Sequence, residues 1–229
     1  MYASKIDQTH YTFEASGSLW QDALVLRDRQ TGSLWSQISG ECISGPMEGT
    51  TLVQYPAHYS NFAQFKKEYP NGRLLKKEAK GQDGSYYDEY FANKTKLGIF
   101  GRIGSFTRLE AKEKIFGIRL DNSEVAVTEE FMAKNGYRLI ETANGIILIY
   151  YDSNSITVNA FNLPSSWSDS IDKIHVGENS ISFGNETRSW SLSTGHVISG
   201  EGNSLSPVAV ITAFWFAWVS FFPETELID

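Results

Sequence analysis

The feature that most limits how this chain can fold is that it repeats itself. Residues 35–52 read W-S-Q-I-S-G-E-C-I-S-G-P-M-E-G-T-T-L, and residues 190–205 read W-S-L-S-T-G-H-V-I-S-G-E-G-N-S-L. An offset of 155 residues pairs Trp35 with Trp190, Gly40 with Gly195, Ile43 with Ile198 and Gly45 with Gly200. After a two-residue deletion the offset becomes 153. It then pairs Gly49 with Gly202, Leu52 with Leu205, Phe62 with Trp215, Phe65 with Trp218, Tyr69 with Phe222 and Pro70 with Pro223. Similarity at a fixed spacing marks one supersecondary unit used more than once. The expectation is two copies of a strand–strand–helix unit, residues 33–75 and 188–228, packed about a pseudo-twofold axis. Residues 1–78 then form the first repeat unit, 79–137 a Tyr- and Gly-rich connecting segment with strands, and 138–229 the second repeat unit, all within one compact domain.

Composition says what kind of unit this is. Of 229 residues, 41% are hydrophobic and 14% aromatic, enough to bury a substantial core. Nineteen glycines signal frequent turns, and abundant Tyr, Phe, Trp, Val and Ile favour strands. The fold class expected is mainly β (α+β), with one short helix in each of two related units. The net charge of −7, with no basic block beyond Lys66-Lys67 and Lys76-Lys77, argues against nucleic acid or an anionic membrane as partner. The single Cys excludes an internal disulfide and a multi-Cys zinc site. His10, His58 and His175 lack metal-ligand spacing, so neither a metal nor another cofactor is called for. Met1–Lys5 runs into polar sequence without a signal-peptide pattern. The compartment stays unassigned, and an extracytoplasmic one stays open if residues precede Met1. Val208–Phe222 is membrane-like in composition, but its 15 residues fall short of the roughly 20 that span a bilayer. Its repeat partner Ser60–Tyr69 is amphipathic, so Val208–Phe222 reads as a buried core helix or a dimer-interface helix.

Along the chain, Tyr11–Phe13 and Ala23–Leu26 read as strands joined through Gly17-Ser18. Asn61–Tyr69 has a 3.6-residue rhythm stopped by Pro70. The stretch K-G-Q-D-G-S-Y-Y-D-E-Y-F-A-N-K reads as a polar, Tyr-rich loop, followed by a Gly-punctuated loop over Leu97–Gly104. Glu129–Lys134 reads as one helical turn. Arg138–Thr142 and Gly145–Tyr151 are strands meeting at Asn144-Gly145, a hairpin signal. Residues 162–172 read as a Ser/Asp-rich loop carrying Trp167. The second copy opens with a hairpin, Ile146–Phe161, that has no counterpart ahead of the first Trp motif. This leaves the first unit with an exposed sheet edge, through which a homodimer is expected.

At D-R-Q-T-G-S-L-W-S-Q (Asp28–Gln37) and G-E-C-I-S-G-P-M-E-G (Gly40–Gly49) the chain resembles the prokaryotic family known as domain of unknown function 3179. The ending F-W-F-A-W (Phe214–Trp218) with Phe221, Pro223 and Thr225 resembles the family's closing motif, and Lys112-Glu113 with Gly117-Ile118 resembles its middle one. The resemblance implies an N-terminal hairpin with a Cys-Pro segment, which this sequence lacks. It also implies a redox-type role for some members. Two functions therefore stand side by side. One is a non-catalytic ligand-binding or structural module. The other is a redox or thiol-linked enzyme whose Cys-bearing hairpin is absent from this chain.

Cys42 pairs with Val197 in the repeat, which implies an inward-facing apolar position. Asp28, Thr31, Ser33 and Trp35 form the densest polar cluster, suited to fixing a turn by side-chain hydrogen bonds. Positions kept in both copies are explained by a shared fold, whereas polar positions that differ are not. That logic selects Arg29, Gln37 and Glu41 from the first copy and His196 from the second as ligand-binding residues, meeting in a cleft between the copies. Arg29 supplies a planar fork for a small anionic ligand, carboxylate or phosphate, and His196 a group that titrates near neutrality.

Overall fold

The computed structural model describes residues 1–75, 85–94, 96–98, 106–120 and 123–229. In chain order its elements begin with β1 (Lys5–Ile6), β2 (Thr9–His10), β3 (Phe13–Trp20), β4 (Ala23–Asp28), β5 (Leu34–Ser36) and β6 (Cys42–Ser44). Then come α1 (Phe62–Glu68), α2 (Ser85–Ala92), β7 (Lys114–Arg119), β8 (Glu124–Thr128), α3 (Glu129–Asn135), β9 (Tyr137–Thr142), β10 (Gly145–Asp152) and β11 (Thr157–Asn162). A 3-10 helix (Ser165–Lys173) precedes β12 (Ile174–Val176), β13 (Ser180–Phe183), β14 (Ser189–Ser191), β15 (Val197–Ser199), β16 (Ser206–Val208), β17 (Ile211–Phe214), α4 (Trp215–Phe221) and β18 (Glu226–Ile228). The protein is mainly β, as its composition predicts.

Two units each draw on separate stretches of chain. Unit 1 takes Met1–Tyr55, Leu74–Thr128 and Ile211–Ile228; unit 2 takes Pro56–Arg73 and Glu129–Val210, with Asp229. Unit 1 holds the sheets β3-β4-β5-β6 and β17-β7-β8-β18 and the small β1-β2 hairpin. Its pairings are antiparallel except that of β18 with β8. Unit 2 holds the antiparallel sheets β16-β11-β10-β9 and β12-β13-β14-β15.

Trp215, Trp218 and Phe222 pack on Ile115 and Ala126 in one core of unit 1. Trp35, Cys42 and Leu52 form another. In unit 2 the core gathers Leu148, Phe161, Trp167, Ile181, Trp190 and Leu192.

The hairpin at Asn144-Gly145 forms as expected, with Thr142 paired to Gly145. Four local expectations are corrected. Gly17 is not a connection: β3 runs through it, and its φ of +82° serves a bulge between Ala15 and Leu19. The turn falls instead at Gln21-Asp22, both left-handed, as a two-residue hairpin requires. The apolar run Val208–Phe222 is helical only over Trp215–Phe221. Ile211–Phe214 is a strand laddered onto β7, since an unbroken apolar run does not by itself distinguish buried strand from helix.

The Tyr-rich loop contains α2, whose Tyr90 and Phe91 rings pack against Phe214 while the Lys112 ammonium lies over Tyr90. The first five residues of that loop stretch, 80–84, and most of Leu97–Gly104 lie outside the described residues. The Ser/Asp-rich stretch is the 3-10 helix, wound so that Trp167 is buried and stacked on Phe183 at 4.9 Å. In both stretches aromatic packing overrides a polar composition.

Candidate functional site

The polar cluster around Trp35 is closed on itself. Asp28 is fully buried at the end of β4. Its Oδ2 accepts from Trp35 Nε1 at 2.9 Å, and its Oδ1 from the Thr31 amide at 2.5 Å and hydroxyl at 2.9 Å. Burial pushes the carboxyl up, but the hydrogen bonds from Trp35, Thr31 and Gly32 outweigh it and hold Asp28 below the ordinary carboxylate range. Every acceptor is spent inside the turn.

Arg29 turns outward, its Nε donating to Glu14 Oε2 at 2.8 Å, and Arg27 bonds the other oxygen of the same carboxylate. Gln37 is exposed, its amide donating to the Leu24 carbonyl at 3.2 Å. Glu41 is exposed and bridges Thr51, and its carbonyl accepts from the Ser36 amide. His196 is exposed in unit 2, with its carbonyl accepting from the Ser191 amide. Arg29, Gln37 and Glu41 thus belong to unit 1 and His196 to unit 2. Cys42 is buried, with its Sγ 3.5 Å from the Ser44 carbonyl; burial pushes its thiol up. A thiol kept protonated and covered is a poor nucleophile.

Around Trp190 the arrangement is open. Phe183, paired with Ile174, follows the Ile181 that lies opposite Trp190, so no carboxylate plays the part of Asp28. The Trp190 Nε1–H donates instead to the Asn203 carbonyl at 3.0 Å. Beside it runs a groove of about 390 Å³ lined by Asn162, Trp167, Arg188, Trp190, Asn203 and Ser206, among others. The Arg188 guanidinium lies 5.2 Å over the Trp190 ring, and its Nη2 donates to Glu186 Oε2 at 3.0 Å. The stacked ring and the Glu186 bond hold the planar fork along the wall. The rest of the lining mixes amide and hydroxyl groups with apolar Leu163, Pro164 and Leu205, and Glu186 balances the charge of Arg188.

Sequence reasoning passed over this wall. Arg188 stands two residues before Trp190, as Ser33 stands before Trp35, and that difference between the segments was the available signal. Among the described residues no group of three or more His, Cys, Asp or Glu is placed to hold a metal ion. No helix among them is long and apolar enough to cross a membrane.

Fold and site together define a mainly β protein with a polar groove beside a buried tryptophan. The chain belongs to the family described as Protein of unknown function (DUF3179), whose family model matches residues 1–225. No curated protein and no solved structure matches it.

Proposed function

We propose that the chain is a non-catalytic ligand-binding module and that its ligand, a small carboxylate-bearing molecule, lies in the groove beside Trp190. The observation that carries this reading is a half-buried Arg188, stacked on the Trp190 ring and paired through Nη2 with Glu186, in an open groove that also offers Asn and Ser groups. Arg188 takes the part that sequence reasoning gave to Arg29; both are paired with a carboxylate, but Arg29 lies on a more exposed surface and no aromatic ring among the described residues is stacked on it. The covered thiol of Cys42 lends nothing to thiol chemistry in this chain. The test is calorimetric titration with glucuronate and with citrate. Saturable binding that Arg188→Ala abolishes and Arg29→Ala leaves unchanged supports the reading. Binding indifferent to Arg188, or lost with Arg29, overturns it.

We also propose that the chain arose by duplication and that the two copies have exchanged helices. Support comes from elements that recur at the sequence offsets: β5 with β14, β6 with β15 and α1 with α4. Gly40 and Gly195 have φ of +73° and +74°, and a Cβ at either would meet an aromatic ring, Tyr2 at 2.5 Å or Phe161 at 2.6 Å. The first copy's helix α1 nonetheless belongs to unit 2, and the second copy's α4 to unit 1. Gly40→Ala and Gly195→Ala should destabilise by similar amounts; a large cost at one and none at the other would count against shared ancestry.

A further inference from the structure

The groove of unit 2 keeps donors unspent. Trp167 is 2% exposed, yet its indole N–H has no hydrogen-bond partner among the described residues. No fully buried side-chain N or O among them lacks a partner, so Nε1 lies in the small part of Trp167 that meets solvent. Trp167 lines the groove, and its ring meets that of Trp190 edge-on at 5.4 Å. Trp190 spends its own N–H on the Asn203 carbonyl; that of Trp167 is left to whatever fills the groove. A mostly buried N–H is costly to leave without an acceptor. Arg188 has given one N–H to Glu186 Oε2 at 3.0 Å and another to the Glu201 carbonyl at 3.5 Å, and its other guanidinium donors remain.

The polar surface continues past Glu186. A second hollow, of about 460 Å³, is lined by Asp172, Lys173, His175, Phe183, Asn185 and Glu186, with Gly184 at the turn. Glu186 lines both spaces. Trp167 lines the groove and Phe183 the hollow, and these two rings stack on each other at 4.9 Å, 7° from parallel. The hollow is shaped by a turn at the end of β13. The Gly184 amide donates to the Lys173 carbonyl at 2.7 Å and the Glu186 amide to the Phe183 carbonyl at 3.1 Å, which brings Asn185 and Glu186 beside the start of β12. The side chains of Asp172, Lys173, His175 and Asn185 make no hydrogen bond or ion pair among the described residues. Lys173 balances Asp172 as Arg188 balances Glu186, so the hollow offers donors and acceptors together with the ring of Phe183. Hydroxyl groups, which both donate and accept, suit such a lining. Each space falls within the roughly 300–1,000 Å³ of small-molecule sites.

We propose that the groove and the hollow are two subsites of one cleft, and that its ligand is an acidic oligosaccharide, with a uronate ring in the groove and a neighbouring sugar ring over Phe183. The uronate carboxylate takes the remaining donors of Arg188, and one of its ring or hydroxyl oxygens accepts from Trp167 Nε1–H. The second ring exchanges hydrogen bonds with Asp172, Lys173 and Asn185. This extension rests on the reading of the groove as a carboxylate site. Calorimetry with glucuronate, with cellobiouronate (glucuronate linked to glucose) and with neutral cellobiose tests it. Cellobiouronate should bind about tenfold more tightly than either of the others, the size of effect expected from one or two added hydrogen bonds. The double variant Asp172→Ala with Lys173→Ala changes only exposed side chains. It should remove the gain, so that the two acids bind alike. The Trp167 Nε1–H resonance, read in the parent protein so that no buried ring is altered, should move on adding either acid. Cellobiouronate binding no tighter than glucuronate, a gain that survives the double variant, cellobiose binding as tightly as cellobiouronate, or a stationary Trp167 signal would each overturn the extended cleft. In those cases glucuronate binding that Arg188→Ala abolishes would leave the groove reading standing. Glucuronate binding indifferent to Arg188, or no binding of either acid, ends both.

Discussion

The β3-β4-β5-β6 sheet of unit 1 and the β12-β13-β14-β15 sheet of unit 2 run their strands in the same order, and each carries a buried tryptophan on its third strand. Both have a register irregularity at that strand, between Leu34 and Trp35 and between Ser189 and Trp190. What differs is how the indole nitrogen is satisfied. Trp35 donates to a buried carboxylate that also closes its own turn; Trp190 donates to a backbone carbonyl and leaves the neighbouring positions to Arg188 and the groove. Similar frames can thus support a closed structural network in one place and an open polar wall in another, because the backbone sets the tryptophan while side-chain choice nearby sets access.

The helices teach the same lesson more strongly. α1 and α4 are both seven residues long, and their C-terminal caps have nearly the same backbone, Tyr69 at φ −125° and Phe222 at φ −130°. Yet α4 buries Trp215, Phe216 and Trp218, and α1 buries nothing fully. The largest expected effect follows. Trp218→Ala should cost about 3–5 kcal/mol in denaturant unfolding, as large-to-small core substitutions do. Phe65→Ala, at the matching place on α1, should cost about 1–2 kcal/mol for its partial burial. Equal costs would break the contrast between the helices.

A smaller effect separates the two tryptophans. Asp28→Ala strands the Trp35 indole and the Thr31 amide in a buried site and should cost about 1–3 kcal/mol. The sign of its pH dependence follows from its lowered pKa. The stability contributed by Asp28 is full above the unfolded carboxylate value, about pH 3.9, and is lost as pH falls through the lower folded value. Unfolding midpoints measured down the acid limb should fall less steeply for Asp28→Ala than for the parent. A parallel fall would mean the carboxylate is not what satisfies Trp35.

Much of the frame was legible in the sequence. The mainly β class followed from composition, and Asn144-Gly145 located a hairpin. Legibility failed where packing decided the outcome. Nothing local in Ser85–Ala92 announces that Tyr90 and Phe91 will pack against Phe214, 120 or more residues away, and so form a helix. The groove was missed because Thr187, Ser189 and Trp190 were explained by the shared pattern, which drew attention away from Arg188 between them. The sequence offers no spacing that links His58 to its partner Asn159, which lies 101 residues on.

The smallest predicted effect concerns a turn. Ile156 closes the β10–β11 turn at φ +54°, a conformation costly for a β-branched side chain. Ile156→Gly should therefore stabilise the protein by about 1 kcal/mol, read as a raised unfolding midpoint with an unchanged denaturant slope. A lowered midpoint would show that the half-exposed Ile156 side chain contributes more through contacts than its backbone costs.

The two indole N–H resonances in a ¹H–¹⁵N spectrum provide the most direct test of the central contrast, a closed tryptophan network against an open one. During titration with glucuronate the Trp190 Nε1–H signal should shift progressively to saturation, and the Trp35 signal, shielded by Asp28, should stay in place. Movement of the Trp35 signal with Trp190 stationary, or no movement of either, would contradict the account.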